Sequence, residues 1–360
     1  MIPLLITLRY ERDVVMQKEL PVTIPQNFTA AFFYAFPVAC ILADPDYLDW
    51  YHMNYLDFYG YKNEANKAKY EFRYVDAISY IDRILHKNEA VQIDRYDLNY
   101  FTCQNLVEFI KSRIDTWNYV ILYVDESKIP DSPFSAGDHE YLVYGYNDDE
   151  HTFQMLGMNR RRQFTKLSFS YDVITAAVDS LIHNLANGKV MYQLCVTNRY
   201  TSLANGENRY YSHHIRREYE EEIFLHKLRM YLNGRITEGS VQIINPKINP
   251  QIGCGIETIE ILKRYLREVM GGENDFEFNV PFFLLDDKRG IHERLLYAYQ
   301  KTQKQVYRKA ANEYTEIVSQ TDLFKNLHMK YLTTEHRDTR KLIERLDAIA
   351  NQEAAILKQL

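Results

Sequence analysis

The residues able to act as nucleophile or base are four cysteines, Cys40, Cys103, Cys195 and Cys254, and a histidine, His139, at the head of a strand-like run. Acyl chemistry through a thiol needs a cysteine made acidic at a helix N-terminus, an imidazole to take its proton, and a polar group to hold that ring. His139 has the best position for the base, because residues 140–146 would form a rigid strand that aims it; it also reads as a polar residue closing the 130–138 loop. Cys40 follows Pro37 by three residues, so the spacing predicts it in the first turns of a helix begun by that proline, where the dipole lowers a thiol pKa. It equally reads as a small hydrophobe within an aromatic helix. Cys254 stands between two glycines at a predicted helix start and suits a structural role as well as a thiolate. Cys103 inside a helix and Cys195 in a strand suit core packing.

Other clusters carry less chemistry. Arg160-Arg161-Arg162 could meet a phosphate, for example on a phosphopantetheine arm or an acidic carrier protein, or form a solvated turn. Glu218 to Glu222 reads as an exposed helix face. His213 and His214 are adjacent rather than one helical turn apart, and His52, His86 and His226 lack ligand-spaced partners, so no metal site is expected. Gly253-Cys254-Gly255 is too short for a phosphate loop, and no cofactor is expected.

The elements that must position these residues alternate in type over the first 200 positions. Glu140–Tyr146 and Thr152–Met158 are strand-like runs joined by Asn147-Asp148-Asp149-Glu150-His151, a bend chemistry that predicts an antiparallel hairpin. Tyr119–Val124 suits a buried strand, Arg162–Leu167 a third hairpin strand, and Val190–Val196 another. Asp97 is placed to cap a helix running to about Ile114, and Ser170 one running to about Asn187. Pro37 and Pro45 each start or kink a helix within residues 27–59. Strand patterns stop at Thr201–Tyr210, which divides the chain into 1–205 and 206–360. Beyond it, 213–233 and 256–270 read as helices. Apolar residues at helical spacing from Gly290 to Gln320, and from Leu342 to Leu360, predict a long helical pair suited to self-association as a homodimer.

Composition narrows the classes further. The chain has 360 residues, 46% hydrophobic and 26% charged, with a formal net charge of −6, which gives no electrostatic footprint for nucleic acid. Residues 1–8 lack a basic flank and break at Arg9, so they read as a first strand rather than a signal peptide or membrane span. Four scattered cysteines without a C-x-x-C pair fit a reducing cytoplasm. Thirty tyrosines, one residue in twelve, stand beside only 13 glycines. Twenty of them precede residue 206, many within 47–61 and 141–146, a distribution that suits the wall of a ligand groove.

Trp117 to Pro130, followed by Asp138-His139-Glu140-Tyr141-Leu142-Val143-Tyr144-Gly145-Tyr146-Asn147, resembles the butirosin-biosynthesis protein H N-terminal family, which is related to bacteriocin-processing cysteine peptidases. The likeness is sharpest over 117–178. Gly253–Leu266 and Leu284–Tyr297 are similar to the helical region that follows that domain, with Asp286-Asp287-Lys288 near the place of its Glu-His-Lys stretch. The resemblance implies an α+β, papain-like N-terminal half followed by a helical domain, in antibiotic biosynthesis. It also implies acyl transfer from a carrier-protein thioester, or a peptide substrate, with His139 as the family's histidine. The family's cysteine would open the first long helix near Asn27–Ala30, where Thr29 is a poor substitute. Cys40 is then the remaining nucleophile, with Tyr34 where an oxyanion glutamine would stand. The orienting Asp or Asn would fall near Leu156-Gly157, where neither residue can hold an imidazole, leaving Gln154 or Asn159. Two readings follow: a degenerate site that binds a peptide, acyl-carrier protein or acylated intermediate, or an active cysteine-dependent acyltransferase or amide hydrolase.

Overall fold

The computed structural model describes residues 16–27, 31–54, 56, 58–63, 69–74, 91–133, 137–184, 190–196, 218–235 and 252–360. The expected first strand at 1–8, Thr29, His86, the 201–210 boundary and the His213-His214 pair lie outside them. The elements run β1 (Gln17–Glu19), α1 (Phe32–Ile41), α2 (Pro45–Met53), β2 (Phe58–Asn63), β3 (Lys69–Tyr74), β4 (Val91–Asp97), α3 (Cys103–Asp115) and β5 (Tyr119–Asp125). There follow β6 (Asp138–Asn147), β7 (Thr152–Met158), β8 (Phe164–Ser170), α4 (Tyr171–Asn184), β9 (Val190–Val196), α5 (Glu221–Leu232) and β10 (Ile252–Cys254). The chain closes with α6 (Thr258–Gly271), α7 (Val280–Thr302), α8 (Gln305–Thr334) and α9 (Arg340–Leu357). The fold class is α+β. Among the described residues no helix is long and apolar enough to cross a membrane.

Two compact units result, and both are discontinuous in sequence: 1–20 with 95–193, and 21–94 with 194–360. A single cut near 205 would leave β2 without its second neighbour, because β10 supplies it from far downstream, with Cys254 opposite Tyr59. The two flanking glycines permit this pairing. A Cβ at Gly253 would stand 2.6 Å from the Glu257 carbonyl, and one at Gly255, where φ is +54°, 2.2 Å from that of Tyr231. Close backbone approach therefore explains Gly-Cys-Gly, and Cys254 is a buried core residue.

The first unit carries a sheet of order β4-β9-β5-β6-β7-β8 with β1 added along β6. The expected hairpin forms with Leu142 opposite Leu156, and β8 pairs along the whole of β7. Helices α3 and α4 pack on β5 and β6. Asp97 caps a single 3-10 turn through the Asn99 amide at 2.9 Å, and α3 starts later, at a reciprocal Thr102–Asn105 capping box. Cys103 therefore opens α3 instead of lying inside it.

In the second unit Pro45 opens α2 at its first turn, whereas Pro37 lies within α1. The apolar run expected to be continuous from 290 to 320 breaks at Gln303, which takes a left-handed φ of +57° while its amide bonds the Tyr299 carbonyl at 2.8 Å. Helices α7 and α8 then pack on each other as a hairpin. The break has no glycine or proline to announce it.

One polar cluster ties four helices of this unit together. Lys288 on α7 is fully buried, and its three ammonium protons go to Asp287 Oδ2 at 2.9 Å, Glu353 Oε2 at 2.8 Å and Tyr231 Oη at 2.6 Å. Tyr231 on α5 donates to the Asp287–Glu353 carboxylate pair, and Tyr314 on α8 donates to Glu353 on α9. Burial raises the Asp287 pKa, and the two carboxylates outweigh burial to raise that of Lys288. Removing one member leaves an uncompensated buried charge. Lys288→Met should therefore lower the unfolding free energy by about 3–5 kcal/mol, and Tyr314→Phe by about 1–3 kcal/mol. Urea unfolding followed by Trp50 fluorescence in a Trp117→Phe background checks this, since the two tryptophans lie in different units. A neutral Lys288→Met would show that the cluster is not structural.

Candidate functional site

The site assembles where β5 ends and β6 begins, within the first unit. Asp125 closes β5 and accepts the amide of Ser127 at 3.0 Å, its hydroxyl at 2.7 Å, and the Ser180 hydroxyl of α4 at 2.7 Å. The hydroxyl of Ser180 is the largest influence holding the Asp125 pKa down. This aspartate is thus a clasp between strand end and helix. The 3-10 turn it caps carries Glu126 into the interior, only 2% exposed.

Glu126 is the group that sequence reading missed. Its carboxylate accepts the Tyr141 hydroxyl at 3.1 Å and the hydroxyl of Ser132. Burial raises its pKa, against the lowering effect of the two hydroxyls and of His139. The sequence signal was slight: an acid following a strand's terminal aspartate, with a tyrosine two residues beyond the histidine.

His139 is the second residue of β6 and pairs with Val124 of β5. Its side chain is about a third exposed. Burial lowers its pKa, while Glu126 and Asp138 pull it back up. With burial the largest influence, the ring is a neutral imidazole at neutral pH, the form that accepts a proton. Its Nδ1 lies 3.8 Å from Glu140 Oε2.

Both expected orienting residues make bonds elsewhere. Asn159 holds the β7–β8 turn, accepting the amides of Arg161 at 2.9 Å and Gln163 at 3.0 Å. The Gln154 amide lies 3.4 Å from both Thr152 and Ser168. At Gly157 a Cβ would sit 2.3 Å from the Tyr141 ring, so the position expected to carry an Asp or Asn is covered by the tyrosine that bonds Glu126. The arginine triplet forms an exposed turn, with Arg160 3.4 Å from Asp131.

Cys40 belongs to the second unit and His139 to the first. Helix α1 begins at Phe32 rather than at Pro37, which leaves Cys40 next to its C-terminal residue, where the helix dipole disfavours a thiolate. Phe36, Val38, Ala39 and Ile41 are buried around it in sequence, and burial pushes the thiol pKa well up. The tyrosines expected to wall a groove are also largely internal: Tyr47, Tyr51, Tyr141, Tyr144 and Tyr146 are buried.

The arrangement offers a partly exposed proton acceptor beside a buried acid already engaged by two hydroxyls. No family model matches the chain, and a search of curated proteins finds no match.

The Gly157 contact makes a direct test of this construction. Gly157→Ala would drive the Tyr141 ring off the strand and weaken its bond to Glu126, and should cost about 1–3 kcal/mol, the usual range for overpacking. Thermal unfolding by circular dichroism, beside Tyr141→Phe as the variant that removes only the hydroxyl, measures it. An unchanged midpoint for Gly157→Ala would contradict the geometry.

Proposed function

We propose that the chain is a papain-like-fold protein of bacterial specialised-metabolite biosynthesis, with a degenerate catalytic site that binds a peptide, an acyl-carrier protein or an acylated intermediate. The observation that carries this reading is the state of Cys40: a buried thiol with a raised pKa, at the unfavourable end of its helix. A neutral imidazole at His139 remains, but the Ser132 hydroxyl donates to Glu126, and the position expected to carry the orienting residue is covered by the Tyr141 ring. A base with a buried, unactivated Cys40 in place of a thiolate supports recognition rather than turnover.

Intact-mass spectrometry after incubation of the full chain with acyl-carrier thioesters tests the proposal, with binding to the same carriers followed by calorimetry. We expect saturable binding and no acyl adduct on the wild type. An adduct that disappears in Cys40→Ala and His139→Ala would establish the active acyltransferase instead. An adduct that survives Cys40→Ala would place the nucleophile elsewhere and equally overturn a non-catalytic site.

A further inference from the structure

Strand β8 ends the sheet of the first unit, and among the described residues no strand pairs with its outer side. It pairs with β7 through all of its residues, from Phe164 opposite Met158 to Ser170 opposite Thr152, without a bulge. One backbone bond lies just beyond each end of this pairing: Tyr171 to the His151 carbonyl at 2.9 Å, and Asn159 to the Gln163 carbonyl at 3.0 Å. Antiparallel partners alternate between bonded and non-bonded pairs, so Thr165, Leu167 and Phe169 turn their backbone groups to β7. Lys166 and Ser168 turn theirs outward, and both residues are exposed.

An edge strand of this length pairs with another chain unless a proline, a bulge or a projecting charge blocks it. Strand β8 has no proline, and its one charged residue is Lys166. The Lys166 ammonium lies 5.3 Å from the centre of the Tyr144 ring on β6, so the side chain reaches back across β7 instead of out past the edge. The edge of the smaller sheet is blocked by a side chain. On β3 the Tyr74 amide donates to the Tyr34 hydroxyl at 3.1 Å, which takes up a donor that a further strand would need.

The residues of β8 also suit pairing with themselves. Two copies running antiparallel about Leu167 set it against the partner's Leu167, Thr165 against the partner's Phe169, and Lys166 against the partner's Ser168. Lys166 and Ser168 are the outward-facing residues, so they exchange the new ladder bonds. A shift by two residues would oppose the two lysines in one direction and leave strand ends unpaired in both. Beyond the strands, the same register brings the exposed Arg161 and Arg162 to the first turn of α4 in the second copy, toward the partner's Asp172; Asp172 is exposed. Each end of the ribbon thus joins opposite charges.

We propose that β8 is a self-association edge, through which two copies of this chain join their sheets into one continuous sheet across a two-fold axis. The arginine turn then sets the register through its ion pairs with α4. The interface uses no residue of the α7–α8 pair, and the inference does not depend on the carrier or peptide reading above.

Sedimentation velocity of the full chain over a concentration series tests it. We expect a monomer–dimer equilibrium whose dissociation constant rises about tenfold in Ser168→Pro. That variant removes an outward amide and no bond to β7, a place where an edge strand tolerates proline, so circular dichroism should show the fold unchanged. Arg162→Asp should also weaken the dimer, and Asp172→Arg added to it should restore the dimer. A chain that is monomeric at every concentration, a dimer that Ser168→Pro leaves intact, or a charge reversal without restoration would overturn the interface.

Discussion

A single ammonium without water is the constraint on which the second unit depends. Lys288 faces two carboxylates, and its three protons are all committed to oxygens drawn from α5, α7 and α9. Such a centre is stable only when every member is in place, since the attraction inside a dry interior must offset the loss of hydration of three charges. Each helix axis is therefore fixed to within hydrogen-bond tolerance. The cluster leaves no proton of Lys288 free for chemistry.

The same device recurs with tyrosine as the donor. Tyr61 bonds Glu71, Tyr70 bonds Glu268, Tyr141 bonds Glu126, Tyr146 bonds Asp115, Tyr171 bonds Asp148, Tyr297 bonds Asp49 and Tyr307 bonds Glu221. A phenol fills core volume with its ring and gives its proton to a carboxylate, and here it often shares that carboxylate with a cation: Lys62 on Glu268, Arg73 on Glu71, Lys111 on Asp148, Lys301 on Asp49 and Lys304 on Glu221. Tyr70, Tyr141, Tyr146 and Tyr307 are buried where their hydroxyls meet carboxylates, which accounts for part of the tyrosine excess without a ligand groove.

The elements were legible wherever local chemistry determined them. Asn147 and the two aspartates after it announce the β6–β7 hairpin, and Ser170 announces α4 through its hydroxyl, which accepts the Val173 amide at 3.3 Å. What failed depended on distance in sequence. No local signal joins β2 to β10, so the second unit's discontinuity was invisible. No residue type marks the turn at Gln303, and α1 was mis-started because Pro37 is tolerated inside a helix whose surroundings are apolar. His139 was found because a histidine at the head of an apolar strand is conspicuous. Glu126 was not, because its burial follows from the turn capped by Asp125 and from hydroxyls at 132 and 141, a meeting that only the folded sheet creates.

The central claim is that buried phenols hold the carboxylates of this protein. Their pKa values are raised by burial and by the acids they bond, as at Tyr141, Tyr231, Tyr307 and Tyr314, so the folded state keeps protons that the unfolded state releases above about pH 10. Stability then falls as pH rises through that value. The most direct measurement is an alkaline titration of tyrosinate absorbance at 295 nm with ellipticity recorded in parallel. The account predicts that the buried, carboxylate-bonded phenols ionise well above pH 10 and together, in one step that coincides with loss of helical signal. A smooth ionisation of all thirty near pH 10 with the fold intact would contradict it.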